Sequence, residues 1–160
     1  MGKHVTAFTT SENKREILTK LGADKIVISK DPKQMKEAVG SIELLINTIS
    51  SDIDFQPYFS CIKRGGKFIQ DGMPAIDETM KINTNYIVTN EIKIIGSVIG
   101  PRQTIKNMID FCYKNDVYPI CEEYPFEKTQ EAFNKLEHGS PFFRCVINVK
   151  DFAEKNGFKK

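Results

Sequence analysis

Phe8-Thr9-Thr10-Ser11-Glu12-Asn13-Lys14-Arg15 sets three hydroxyls in a row and follows them with two cations. That combination suits a phosphate monoester: O–H groups donate to its oxygens, and Lys or Arg meets its charge. Val5 to Phe8 reads as the end of a buried strand, and the residues after Ser11 read as a helix. In a dinucleotide-binding fold this strand end separates two cofactors. An Asp or Glu accepts from a ribose 2′-hydroxyl, whereas hydroxyls with Lys or Arg accommodate a 2′-phosphate. No acid ends this strand, so the residues point to NADP over NAD. A simpler reading fits equally well, with Ser11 as the N-cap of a solvated helix.

Other residue types with chemistry are scattered. Cys61, Cys112, Cys121 and Cys145 form no C-x-x-C pair, and neither His4 nor His138 lies at ligand spacing from them. A zinc site needs clustered ligands to close a tetrahedron, so no metal is expected here. Cys61 and Cys112 sit in apolar helical patterns and are expected as reduced core thiols. Both histidines read as surface or loop residues, and no catalytic residue is assigned.

The elements that must position the turn alternate. The strand ending at Phe8 leads to a helix whose Ile17, Leu18 and Leu21 share a face, closed by Gly22. Lys25 to Ser29 is a strand, and Asp31-Pro32 opens a short helix. Leu44 to Ile49 is a nearly continuous apolar run, expected as a strand covered on both faces. A helix over Pro57 to Ile62 is expected to end at Gly65-Gly66, before a strand from Lys67 to Ile69 that runs into Gly72. Ile92 to Val98 is one more strand. This is the β-α-β-α rhythm of a parallel, doubly wound α/β sheet. After Pro101 come a helix bearing Ile105, Met108, Ile109 and Cys112, and a strand at Cys121 to Tyr124. A helix bearing Ala132, Phe133 and Leu136 and a strand at Arg144 to Val149 follow, and from Asp151 a polar, frayed tail is expected.

Bulk properties narrow the function class. The length of 160 residues suits one domain, or one domain and part of another. The net charge of +2 comes from interspersed acids and bases, which does not suit a nucleic-acid surface. No apolar run approaches membrane-spanning length, and no secretory h-region follows Met1, so the expected location is the cytoplasm.

A run of motifs, in order, resembles the zinc-dependent medium-chain alcohol dehydrogenases, specifically the NADP-dependent cinnamyl alcohol dehydrogenase type. They are His4-Val5-Thr6-Ala7-Phe8-Thr9-Thr10-Ser11, Lys14-Arg15-Glu16, Leu21-Gly22-Ala23-Asp24, Asn47-Thr48-Ile49-Ser50, Pro57-Tyr58 and Gly65-Gly66-Lys67. Gly96-Ser97-Val98-Ile99-Gly100, Ile109-Asp110-Phe111-Cys112, Glu131-Ala132-Phe133-Asn134-Lys135-Leu136-Glu137 and Phe143-Arg144-Cys145-Val146-Ile147 continue the series.

The resemblance implies roles. Thr9, Thr10, Ser11 and Lys14 match a 2′-phosphate pocket, with Arg15 auxiliary. Thr48 matches a contact to the nicotinamide half, and Gly72 a close approach of backbone to cofactor. Ser97, Val98 and Ile99 match the surroundings of the nicotinamide, and Arg144 a basic residue reaching the pyrophosphate. The implied reaction is hydride transfer between NADP and an aldehyde or alcohol, with a zinc ion polarising the substrate oxygen. A homodimer through the strand Ile92 to Val98 is also implied.

This sequence departs from the family in substance. The zinc ligands, the first Rossmann strand and its Gly-rich turn have no counterpart here, and Met1-Gly2 aligns with the end of a preceding helix. The implied fold is an incomplete Rossmann domain over 1–100, a C-terminal segment of the catalytic domain over 101–150 and a polar tail over 151–160. In the order 3-2-1-4-5-6 the missing strand is central, so its loss opens a hole in the sheet and favours association. Gln70-Asp71 before Gly72 and Asn47 before Thr48 are further departures, polar where burial demands partners. The chain thus reads as the C-terminal part of an alcohol dehydrogenase that needs its N-terminal portion. The alternatives are a non-catalytic nucleotide-binding or dimerising module and a decayed remnant.

Overall fold

The computed structural model describes residues 4–51, 53–77, 79–138 and 143–158. Met1-Gly2, aligned above with a preceding helix, lies outside them. The chain divides into two compact units, Met1–Ile99 and Gly100–Lys160.

The first unit runs β1 (Thr6–Thr9), α1 (Arg15–Lys20), β2 (Lys25–Ile28), α2 (Pro32–Glu37), β3 (Ile42–Asn47), α3 (Gln56–Cys61), β4 (Ile62–Gln70), α4 (Thr84–Thr89) and β5 (Lys93–Gly96). Local chemistry fixes several boundaries. Asp31 accepts from the Lys33 N–H at 2.9 Å and caps α2, with Pro32 in the first turn where no N–H is needed. Gly22 ends α1 at φ +91°, and the N–H groups of Gly22 and Ala23 return to the carbonyls of Thr19 and Leu18. Helix α4 has no counterpart in the sequence reading. Asn83 starts it by accepting from the Tyr86 N–H at 3.2 Å.

All the pairing in this unit is parallel, and it comes in two pieces. β1 pairs only with β2, while β3, β4 and β5 form a separate sheet in that order. The described residues show no pairing between the two pieces. The two pieces still share one core, in which Val27 of β2 joins Leu45, Phe59 and Phe68. Phe8 of β1 meets Tyr58 edge-on at 5.5 Å, and Phe59 lies 4.6 Å from Phe68.

Only one face of β3 is covered, contrary to the two-sided burial its apolar run suggested. Leu45 and Phe68 face the core at 8% and 0% exposure, while Leu44, Ile46 and Ile95 stand 47%, 58% and 41% exposed. Register puts Ile46, Ile69 and Ile95 in one row across that bare face and Leu44, Lys67 and Lys93 in the next. Two lysines directly opposite each other are unfavourable. An apolar run reports that a strand fits a dry environment; it does not say which element dries it.

Gly65-Gly66 lies inside β4 and does not end a helix. Helix α3 stops at Cys61, and β4 begins at Ile62 opposite Ile42. The next pair is Leu44 with Lys67, so β4 carries extra residues as a bulge. Gly65 takes φ +75° there, and a Cβ on Gly66 would sit 2.5 Å from Ile62 Cγ2.

Cys61 is fully buried and burial pushes its thiol pKa up, whereas Cys112, Cys121 and Cys145 are half-buried. Cys112 is therefore not the core thiol its pattern suggested. Iodoacetamide should label three thiols in the folded chain and the fourth, Cys61, only on unfolding. Mass spectrometry after timed quenching checks this, and early modification of Cys61 would show that the shared core opens.

The second unit runs α5 (Arg102–Lys114), β6 (Glu122–Pro125), α6 (Thr129–His138), β7 (Cys145–Asn148) and α7 (Lys150–Lys155). β6 and β7 pair in parallel. Residues expected to fray from Asp151 instead form α7, whose Phe152 packs against Phe126 with ring centres 4.2 Å apart and planes tilted by 33°.

Candidate functional site

The hydroxyl turn leaves β1 at its carboxyl end. The Thr9 carbonyl accepts from the Ser29 N–H at 2.8 Å, which ties the turn to the end of β2. Ser11 has extended backbone at the N-cap of a single 3₁₀ turn over Glu12–Lys14, yet its side chain makes no capping bond. Its hydroxyl donates instead to Asn13 Oδ1 at 2.5 Å. The capped-helix reading therefore holds for backbone position and fails for the side chain.

The two cations behind the turn differ. Lys14 is exposed and has no hydrogen-bond or ion-pair partner among the described residues. Arg15 is already engaged: its Nε meets Glu12 Oε1, and its Nη2 donates to Glu12 Oε2 at 3.1 Å. That pairing holds the Glu12 carboxyl below its ordinary pKa and raises that of Arg15. The sequence reading took Arg15 as auxiliary and missed its tie to Glu12. The i, i+3 spacing was its only signal.

A second group gathers at the carboxyl ends of β3, β4 and β5. Thr48 follows β3, Gly72 follows β4 and Ser97 follows β5. Asn47 and Gln70 hold these ends together and account for the polar residues that the sequence left unexplained. The Asn47 side-chain amide donates to Gln70 Oε1 at 2.9 Å, and the Asn47 backbone carbonyl accepts from the N–H groups of Asp71 and Gly72, both at 2.9 Å. The Ile49 N–H donates to Asn47 Oδ1 at 3.1 Å, and the Ser97 N–H donates to the Gln70 carbonyl at 2.8 Å. The buried Asn47 amide thereby has a partner for both its oxygen and its nitrogen, which offsets the cost of burying it.

Gly72 faces a nearer obstacle than any ligand. A Cβ there would sit 2.1 Å from the Ile49 carbonyl oxygen, so the chain leaving β3 already requires glycine. Val98 and Ile99 are exposed, as is Met73 across the same edge. Arg144 belongs to the second unit, just before β7, where its carbonyl accepts from the Glu122 N–H at 2.8 Å.

Among the described residues no three His, Cys, Asp or Glu side chains come together to hold a metal ion. The described residues therefore offer no ligand set that fits a zinc ion. None of the described helices is long and apolar enough to cross a membrane.

Comparison with known proteins agrees with this architecture. Residues 1–114 match a family model described as zinc-binding dehydrogenase. The chain is 34% identical over 149 residues to cinnamyl alcohol dehydrogenase 2 of Rauvolfia serpentina, covering 92% of this chain and 41% of that one. It is 35% identical over 149 residues to 8-hydroxygeraniol dehydrogenase of Catharanthus roseus, with the same coverage of 92% and 41%. A solved cinnamyl alcohol dehydrogenase of Sorghum bicolor superposes with a TM-score of 0.83 at 27% identity, over 92% of this chain and 41% of that chain. The CAD of Helicobacter pylori, solved with NADP(H), superposes at 0.77 and 23% identity, over 92% and 41%, and shows the fold alone. The chain thus spans about two fifths of the length of the relatives it matches.

Proposed function

The chain belongs to the zinc-binding dehydrogenase family, and from that premise we propose that it forms the cofactor-reading part of an NADP-dependent alcohol dehydrogenase. The observation that carries the reading is the β1 turn. Three hydroxyl residues and a Lys14 with no partner among the described residues share one short segment, and no carboxylate ends the strand. Thr9, Thr10, Ser11 and Lys14 would hold the 2′-phosphate. Thr48, Gly72, Ser97, Val98 and Ile99 would border the nicotinamide half, and Arg144 would reach the pyrophosphate. The nicotinamide, when bound, supplies the hydride chemistry; the residues of this chain bind and orient it.

The substrate class proposed is an aldehyde or its alcohol, and the exposed Met73, Val98 and Ile99 offer it an apolar wall. Catalysis would need the portion that the longer relatives possess, so this chain by itself is expected to be inactive. The homodimer through Ile92 to Val98 is supported by β5 standing at the edge of its sheet among the described residues.

Binding of adenosine 2′-monophosphate and adenosine 5′-monophosphate to the 160-residue chain, followed by NMR titration, tests the reading. A clear preference for the 2′-phosphate is expected. Equal binding of the two, or of neither, would overturn it.

A further inference from the structure

In the segment from Glu12 to Lys20, four of the five charged side chains are paired with each other. Lys20 pairs with Glu16 at 2.6 Å, Arg15 pairs with Glu12, and Lys14 has no partner among the described residues. The Glu12 carboxylate takes both donors on one edge of the Arg15 guanidinium, Nε and Nη2, in the fork geometry that a phosphate would also use. Glu12 also stands directly between the hydroxyls and Lys14 in the chain. It therefore opposes a 2′-phosphate twice, by its own charge and by occupying the second cation that could meet one.

We propose that Glu12 sets how strongly this turn prefers a 2′-phosphate, by holding Arg15 in a bidentate ion pair that the phosphate must otherwise break. The inference rests on the reading of the turn as a 2′-phosphate pocket. Glu12 is then a specificity-determining residue that acts through Arg15, and Lys14 carries the phosphate contact in the native chain. The depressed Glu12 carboxyl agrees with this, since the residue stays ionised and paired at neutral pH. Both side chains of the pair are solvent-accessible, at 40% for Arg15 and 65% for Glu12, so the pair can open without unfolding a buried contact.

The test uses the 160-residue chain and adenosine 2′-monophosphate, with adenosine 5′-monophosphate as the reference. Glu12→Gln keeps the shape, removes the charge and frees Arg15. It should tighten the 2′-phosphate about three- to fivefold, the size of an exposed ion pair, and leave the 5′-phosphate unchanged. The double variant Glu12→Gln/Arg15→Gln restores the native net charge and should lose that gain. A merely structural role for Glu12 would move both ligands together. If the native chain discriminates and Glu12→Gln shows no gain, or the double variant keeps it, this inference falls and the pocket stands. If the native chain does not discriminate, the pocket reading falls and takes this inference with it.

Discussion

Replacing Lys14 with Ala should weaken adenosine 2′-monophosphate by about tenfold or more and leave adenosine 5′-monophosphate almost unchanged. The size follows from the kind of contact. A charged amine on a phosphate oxygen is among the stronger hydrogen bonds, and here no neighbouring carboxylate competes for it. The only other cation in the segment, Arg15, is tied to Glu12 and cannot substitute without breaking that pair. Lys20 is the internal control. It is one turn further along α1 and already paired with Glu16, so Lys20→Ala should move neither ligand. Raising the salt concentration should weaken the native 2′-phosphate complex and have less effect on the Lys14→Ala chain. Equal losses for both ligands would mean that Lys14 serves the fold or the adenosine, not the 2′-phosphate.

The legible parts of this molecule are those governed by local chemistry. Asp31-Pro32 announces α2 because the capping bonds lie within three residues, and Gly22 announces the end of α1 because its left-handed backbone is local too. The hydroxyl turn was legible for the same reason: Thr9 to Lys14 fit inside one loop and one 3₁₀ turn. Features that depend on a partner strand were misread. Gly65-Gly66 looks like a helix stop in isolation. It becomes a bulge only because Ile42 and Leu44 of β3 set a register that β4 must stretch to meet. The Asn47–Gln70 clamp likewise needs two strands side by side before its logic appears.

Side-chain choice was the second barrier. Sequence shows that Arg15 stands three residues after Glu12. It does not show that the guanidinium turns toward that carboxylate and not toward the hydroxyls. On the proposed reading, that orientation decides which cation would meet a phosphate, and it is a side-chain choice the sequence does not show.

The isolated chain should self-associate through the bare face beside the break in its sheet, and one charge at Ile46 should reverse this. Leu44, Ile46 and Ile95 each retain about half their surface, and covering it is worth roughly 1 kcal/mol per residue. Counted on both copies of a dimer that is roughly 6 kcal/mol, against which stands the cost of fixing two chains together, and the edges of β1 and β3 that are unpaired among the described residues add open hydrogen-bonding groups. The opposed Lys67 and Lys93 work against this but occupy only the row nearest the amino end of the strands. Ile46→Lys places a charge in the apolar row on β3, a strand at one edge of its sheet among the described residues. It should restore the monomer with little change in melting temperature. Leu45→Ala, the adjacent residue on the opposite face, should do the reverse. It opens a cavity beside Phe68, costs about 2–5 kcal/mol and leaves association in place. Sedimentation velocity and thermal melts of the three proteins separate these outcomes. A native chain that stays monomeric, or an Ile46→Lys chain as destabilised as Leu45→Ala, would show that the face is covered in solution by a rearrangement of the chain itself.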